Sequence, residues 1–160
     1  MMSFFFFEDD DGDAIPVNEE RYRNMISTFF IPQLRRRTRS TRKEWFQQDG
    51  ATPHTARATL NLLEKTFAER VILMKTDFKW PPHSPDLNPL DFFLWGFFKD
   101  RVYRSKPVTL DELKVNIRRE ISLIDEDILQ NVVRNFECRV DAVQQMEGKH
   151  VEHVNIHVNM

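Results

Sequence analysis

The periodicities along this chain predict an α/β fold with a partly parallel sheet. Short apolar or aromatic runs alternate with stretches of three-and-four apolar spacing, and after residue 103 the alternation gives way to two further helical stretches. The order strand, helix, strand, helix, strand, then helices lays parallel strands side by side, with helices as the crossovers. Size and composition agree with this: 160 residues, 41% hydrophobic and 30% charged, are enough for one domain with a core. Residues 1–148 are read as that domain and residues 149–160 as a C-terminal tail.

Each element has a local cause. Ser3–Phe7 is aromatic and is closed by Asp11-Gly12-Asp13, which predicts a buried strand followed by a turn. Asn18 is a suitable cap for a helix carrying Tyr22, Met25, Ile26, Phe29 and Phe30, with Pro32 near its end. Glu44 to Asp49 reads as a short strand running into Gly50, which puts an acid at a strand's carboxyl end. Thr52-Pro53 starts the next helix, because proline at the first helical position loses no needed hydrogen bond, and Leu60, Leu63 and Phe67 form its buried stripe. Val71–Met74 is a continuous apolar run suited to a buried strand, and Trp80-Pro81-Pro82 ends regularity in a stiff loop. Asn88-Pro89 restarts a helix through about Tyr103, whose ring of Phe92, Phe93, Trp95, Phe97 and Phe98 predicts deep burial. Thr109 with Glu112 has the pattern of a capping box. The last helix, Asp125 to about Met146, places Leu129, Val132, Val133, Phe136, Val140 and Val143 on one face, with Gly148 as its stop.

Composition also excludes several classes. The lone Cys138, read as a core residue, rules out an internal disulfide and a cysteine-rich zinc site, and fits a reducing compartment. The run Phe4–Phe7 is too short for a signal-peptide core or a membrane span, so no membrane association is expected. The formal charge of -2 conceals an acidic patch at residues 8–13 and a basic one made of Arg35, Arg36, Arg37, Arg39, Arg42 and Lys43. A basic run of this kind is either a solvated loop or a contact for DNA phosphates.

Two segments carry chemistry: Phe46-Gln47-Gln48-Asp49-Gly50-Ala51-Thr52-Pro53-His54, and Trp80 to Asp91 with the sequence WPPHSPDLNPLD. Taken singly, Asp49 before Gly50 reads as a turn residue bonded to nearby amides, and Asp91 three positions after Asn88 as part of a helix start. His54 reads equally as a histidine packed beside the strand end or one facing a phosphate or metal. Trp45 and Trp80 read as core or loop anchors, and Asp86 as organising its turn.

Taken together, the two segments resemble the QDGAPPH and WPPxSPDLNPxD/E signatures of the mariner-type DDE/DDD transposase superfamily. The resemblance covers about residues 4–150. It implies a ribonuclease-H-like catalytic domain, a mixed sheet flanked by helices, with extra C-terminal helices. It also implies metal-dependent cleavage and transfer of DNA strands, hence DNA as partner and the nucleus as location. Two Mg²⁺ or Mn²⁺ ions would serve the attacking and leaving oxygens. By motif position, Asp49 corresponds to the second metal-binding acid and Asp91 to the third, with His54 and Asn88 in supporting positions. Asp86 matches a motif position that is not a ligand.

The family's first acid stands upstream of the segment that Phe4 to Asp11 resembles, so the chain is expected to be a truncated domain. Asp9, Asp10 and Asp11 are expected at a turn rather than as its replacement. Two carboxylates leave two closely spaced divalent ions short of compensating charge, so isolated residues 1–160 are expected to be inactive. A missing strand would also leave a sheet edge open to self-association. Two other readings stay open: a non-catalytic nucleic-acid-binding remnant using residues 35–43, and a scaffold using the helix from Asp125 to Met146.

Overall fold

The structure, a computed structural model, describes residues 4–38, 41, 43–81, 84–148 and 151. The chain forms two compact units, residues 3–82 and residues 83–160.

In the first unit, Phe4–Phe7 is assigned to no strand among the described residues and is only partly buried, where a buried strand was predicted. The segment ends in a tight hairpin. Glu8 and Ala14 form one antiparallel bridge, Gly12 takes a φ of 85° at the turn, and Asp9 Oδ1 accepts from the amides of Asp11 (3.1 Å) and Asp13 (2.9 Å). The phenylalanines are occupied by one another and by the next helix, Phe5 meeting Phe29 edge-on at 5.2 Å, and Phe5 stays 41% exposed. The three acids sit at or beside this turn, as expected.

Asn18 caps α1 (Glu19–Met25), its side chain accepting from Arg21 N at 2.8 Å. The helix does not stop near Pro32. A single π turn, Ile26–Phe30, intervenes, and α2 (Ile31–Thr38) carries on through the proline. Proline ends an ordinary helix because its ring strikes the carbonyl four residues back. Here Ile31 N–H already reaches back five residues to Ile26 O, so the widened turn makes room for the ring.

β1 (Phe46–Gln47) and β2 (Val71–Ile72) pair in parallel, with Phe46 opposite Val71 and Gln47 opposite Ile72. α3 (Thr52–Thr55) and α4 (Arg57–Phe67) connect them. The expected helix is thus broken once, at Ala56, whose ψ of 137° is extended. Leu63 and Phe67 are fully buried as the stripe required, with Leu60 packed against them. They join Tyr22, Ile26, Ile31, Val71 and Leu73 in the core of this unit. The sheet among the described residues is parallel and two strands wide. An edge two residues long is too short to template pairing with another chain, so self-association through a sheet edge finds no support. Trp80 is buried as an anchor, whereas Trp45 is 52% exposed, its ring edge-on to Phe78.

The second unit is helical. A 3₁₀ turn (Pro85–Leu87) leads to a π turn (Leu90–Leu94) and α5 (Trp95–Val102), followed by α6 (Leu110–Ser122) and α7 (Glu126–Gln145). The predicted Thr109 cap forms, its Oγ1 accepting from Glu112 N at 3.2 Å, and Asp125 caps α7, its Oδ1 accepting from Ile128 N at 2.9 Å. Glu112 reaches back to Val108 N, one residue earlier than the standard capping box. Gly148, at φ 84°, ends α7 by donating to Val143 O at 2.8 Å. Phe98, Val102 and Ile124 form the core, with Leu113, Ile117, Ile121, Ile128 and Leu129 packed around it.

Burial around α5 departs from expectation. Only Phe98 of the five aromatics is buried, and Trp95 is 60% exposed. Cys138 is also exposed rather than in a core. No residue of α7 is fully buried, and Val133 of its predicted apolar face is exposed. Of the tail, Val151 alone is described; it is buried, and its amide donates to Asp86 Oδ2 at 2.8 Å. The rest of residues 149–160 lies outside the described residues. No helix among the described residues is long and apolar enough to cross a membrane.

Candidate functional site

β1 delivers Asp49. Strand alternation turns Phe46 into the core, where its ring stacks on Phe67 at 5.1 Å, and turns Gln48 inward as well, leaving it buried. Asp49 follows, beyond the two-residue ladder. Its Oδ1 accepts from Ala51 N at 3.0 Å and lies 2.6 Å from His54 Nδ1. The first contact is the turn reading of this residue, and it coexists with an open side: the carboxylate is 47% exposed and Oδ2 accepts no hydrogen bond from the described residues. α3, started at Thr52-Pro53, sets His54 one turn in, so that its ring reaches back to the strand end.

The His54 hydrogen bond assigns the ring's tautomer. An ionised carboxylate only accepts, so Nδ1 carries the proton, and in the neutral ring Nε2 is left as an acceptor. Behind it stand two residues that sequence reasoning did not single out as functional. The Tyr22 ring lies against the His54 ring, centroids 4.5 Å apart. The Tyr22 hydroxyl donates to Gln48 Oε1, and Gln48 Nε2 donates to the His54 carbonyl at 3.3 Å. Burial, and then the charge of Asp49, hold the Tyr22 phenol well above its ordinary titration range, so it remains a donor at neutral pH. The available signal was polarity out of place: a hydroxyl on the apolar face of α1 and an amide at an inward strand position each need a partner.

Asp91 is held by its own helix start. The Asn88 carbonyl accepts from Asp91 N (2.9 Å) and Phe92 N (3.0 Å), and its Oδ1 accepts from Leu90 N at 3.1 Å. The same side chain donates through Nδ2 to Asp91 Oδ2 at 2.8 Å. Asn88 is thus both cap and tether, while Asp91 stays exposed and its Oδ1 accepts no hydrogen bond from the described residues. Arg139 of α7, also missed, braces this region: its guanidinium donates to the Asp86 carbonyl at 3.3 Å and lies 4.6 Å over the Phe92 ring.

Arg35, Arg36 and Arg37 occupy the last turn of α2, exposed, and Lys43 is exposed beyond it. A cationic last turn also complements the helix dipole, so this location alone does not assign a DNA contact. Arg39 and Arg42 lie outside the described residues. Asp49 belongs to the first compact unit and Asp91 to the second. Among the described residues no three His, Cys, Asp or Glu side chains gather to hold a metal ion. Hard divalent cations take carboxylate oxygens, and the uncommitted oxygen on each of these acids fits that donor chemistry.

No protein-family model matches the chain. It is 28% identical over 139 residues to the transposable element Tc3 transposase of Caenorhabditis elegans, a match covering 86% of this chain and 39% of that protein. The chain thus spans about two fifths of the length of this curated relative. Among solved structures it resembles the Mos1 transposase catalytic domain, described with raltegravir and Mn, with a TM-score of 0.72 at 19% identity, over 93% of this chain and 80% of that one. The latter likeness shows a shared fold. With the sequence likeness to Tc3 transposase, it relates this chain to the catalytic domains of the mariner/Tc1-type DDE transposases.

Proposed function

We propose that this chain is part of a transposase catalytic domain of ribonuclease-H-like ancestry, acting in the nucleus on DNA, with Asp49 and Asp91 as two of its metal-binding carboxylates. The observation that carries the reading is Asp49 itself: an acid at a strand's carboxyl end, one oxygen fixed by His54 Nδ1 and Ala51 N, the other uncommitted. Asp91 repeats that arrangement on the start of its own helix, with Asn88 as the fixing group. When bound, Mg²⁺ or Mn²⁺ would stabilise the attacking and leaving oxygens of a phosphodiester exchange. The residues present orient the acids and keep a carboxylate oxygen available for it.

We further propose that residues 1–160 alone do not cleave DNA, since two acids supply too little negative charge to hold two ions close together. A strand-transfer assay with Mg²⁺ or Mn²⁺ tests this, and Asp49-dependent cleavage by the purified chain would overturn it. The metal reading is tested separately by Mn²⁺ binding, expected for the native chain and lost in Asp49→Asn. A second reading rests on the exposed Arg35-Arg36-Arg37 turn: DNA phosphate binding insensitive to Mg²⁺ and to Asp49→Ala.

A further inference from the structure

The Asp49–His54 pair stands on a buried support from a different helix. His54 is held on two sides: its ring packs against Tyr22 and its carbonyl accepts from Gln48 Nε2. Gln48 is 9% exposed, and its amide bridges the two residues: the nitrogen donates to the His54 carbonyl and the oxygen accepts from the Tyr22 hydroxyl. An amide rotated by half a turn would set its oxygen against the His54 carbonyl and its nitrogen against the hydroxyl. The acceptor-only His54 carbonyl therefore selects the amide's orientation, the Tyr22 hydroxyl locks it by bonding the amide oxygen, and the amide holds the backbone that carries the imidazole. The imidazole in turn, together with the Ala51 amide, engages one carboxylate oxygen of Asp49 and leaves the other open.

We infer that Tyr22 and Gln48 are positioning residues for Asp49, acting through His54, so that α1 sets the orientation of the carboxylate at the end of β1. Neither touches the carboxylate itself: Tyr22 bonds to Gln48 and packs on His54, and Gln48 bonds to the His54 main chain. The inference rests on the reading of Asp49 as a metal ligand. Groups that orient a ligand in this way typically alter metal affinity by about 10- to 100-fold when removed.

The test uses the full 160-residue chain, Mn²⁺ as the probe, and paramagnetic broadening of the Ala51 and His54 amide resonances as the readout. Tyr22→Phe keeps the ring and deletes the hydroxyl; the Mn²⁺ midpoint is expected to rise roughly 10-fold with the amide spectrum otherwise retained. Gln48→Met should give a similar rise, and the double variant no more than the larger single effect, as for residues acting in one path. If Tyr22→Phe fails to fold, Gln48→Met decides alone. An unchanged midpoint in the folded variants, a lowered melting temperature with no change in midpoint, or fully additive effects would overturn the inference. A metal-free arm separates it from the reading beneath it. In the native chain the His54 Nδ1 proton should give an exchange-protected resonance in the cold, lost in Tyr22→Phe, and its persistence there counts against positioning. Broadening that survives Asp49→Asn instead counts against Asp49 as the ligand.

Discussion

Tyr22 presents its phenol where ionisation is doubly disfavoured, by burial and by the neighbouring Asp49 charge, and this has a consequence for stability. A tyrosine whose folded pKa is raised is stabilising in its neutral form. Its contribution is fully present below the ordinary value of about 10 and is lost as pH rises from there toward the higher folded value. Urea unfolding across the alkaline range should show stability falling above about pH 10, less steeply in Tyr22→Phe; parallel curves would refute this. Asn88 is the corresponding residue on the other acid. Asn88→Ala should cost about 1 kcal/mol through the lost cap, read from the same unfolding experiment, and should release Asp91 Oδ2. At this scale the two acids and their immediate partners were legible, because His54 and Asn88 lie within five residues of them. Tyr22 and Arg139 were not, since what they hold is 26 and 53 residues away in the chain.

Among the elements, those decided by local chemistry followed the sequence. Asn18 and Thr109 each cap the helix they were expected to cap, because a side-chain oxygen and an unpaired amide three residues on suffice. Thr109→Ala should therefore destabilise the chain by about 1 kcal/mol in thermal or urea unfolding. Leu63, with no exposed surface on α4, belongs to the other kind of contact, and Leu63→Ala should cost about 3 kcal/mol, with loss of cooperative unfolding of that core as the sign. Elements that depend on distant partners were not legible. Pro32 is absorbed by a π turn that no residue type announces, and of the five aromatics from Phe92 to Phe98 only Phe98 found full cover.

For the chain as a whole, net charge is a poor guide to partners and the placement of charge a better one. Arg35, Arg36 and Arg37 concentrate positive charge on one exposed helical turn of a protein whose total is -2. If that turn meets DNA phosphates, replacing all three by alanine should reduce the slope of log affinity against log salt by up to roughly 3, measured by fluorescence anisotropy. An unchanged slope would remove this turn from the DNA-binding surface. The alternation of strand and helix was recoverable from sequence, but the division into two compact units, each with its own core, was not, because it depends on which apolar faces meet. The hydrogen bond from the Val151 amide to the buried Asp86 carboxylate carries a different lesson, about tolerance to sequence change. The donor is main chain, so every residue type but proline supplies it, and position 151 can drift under packing demands alone while position 86 is constrained by its charge and length. Val151→Ala and Val151→Pro are thus a matched pair in which the extra loss shown by proline measures the removed amide together with the change in backbone freedom.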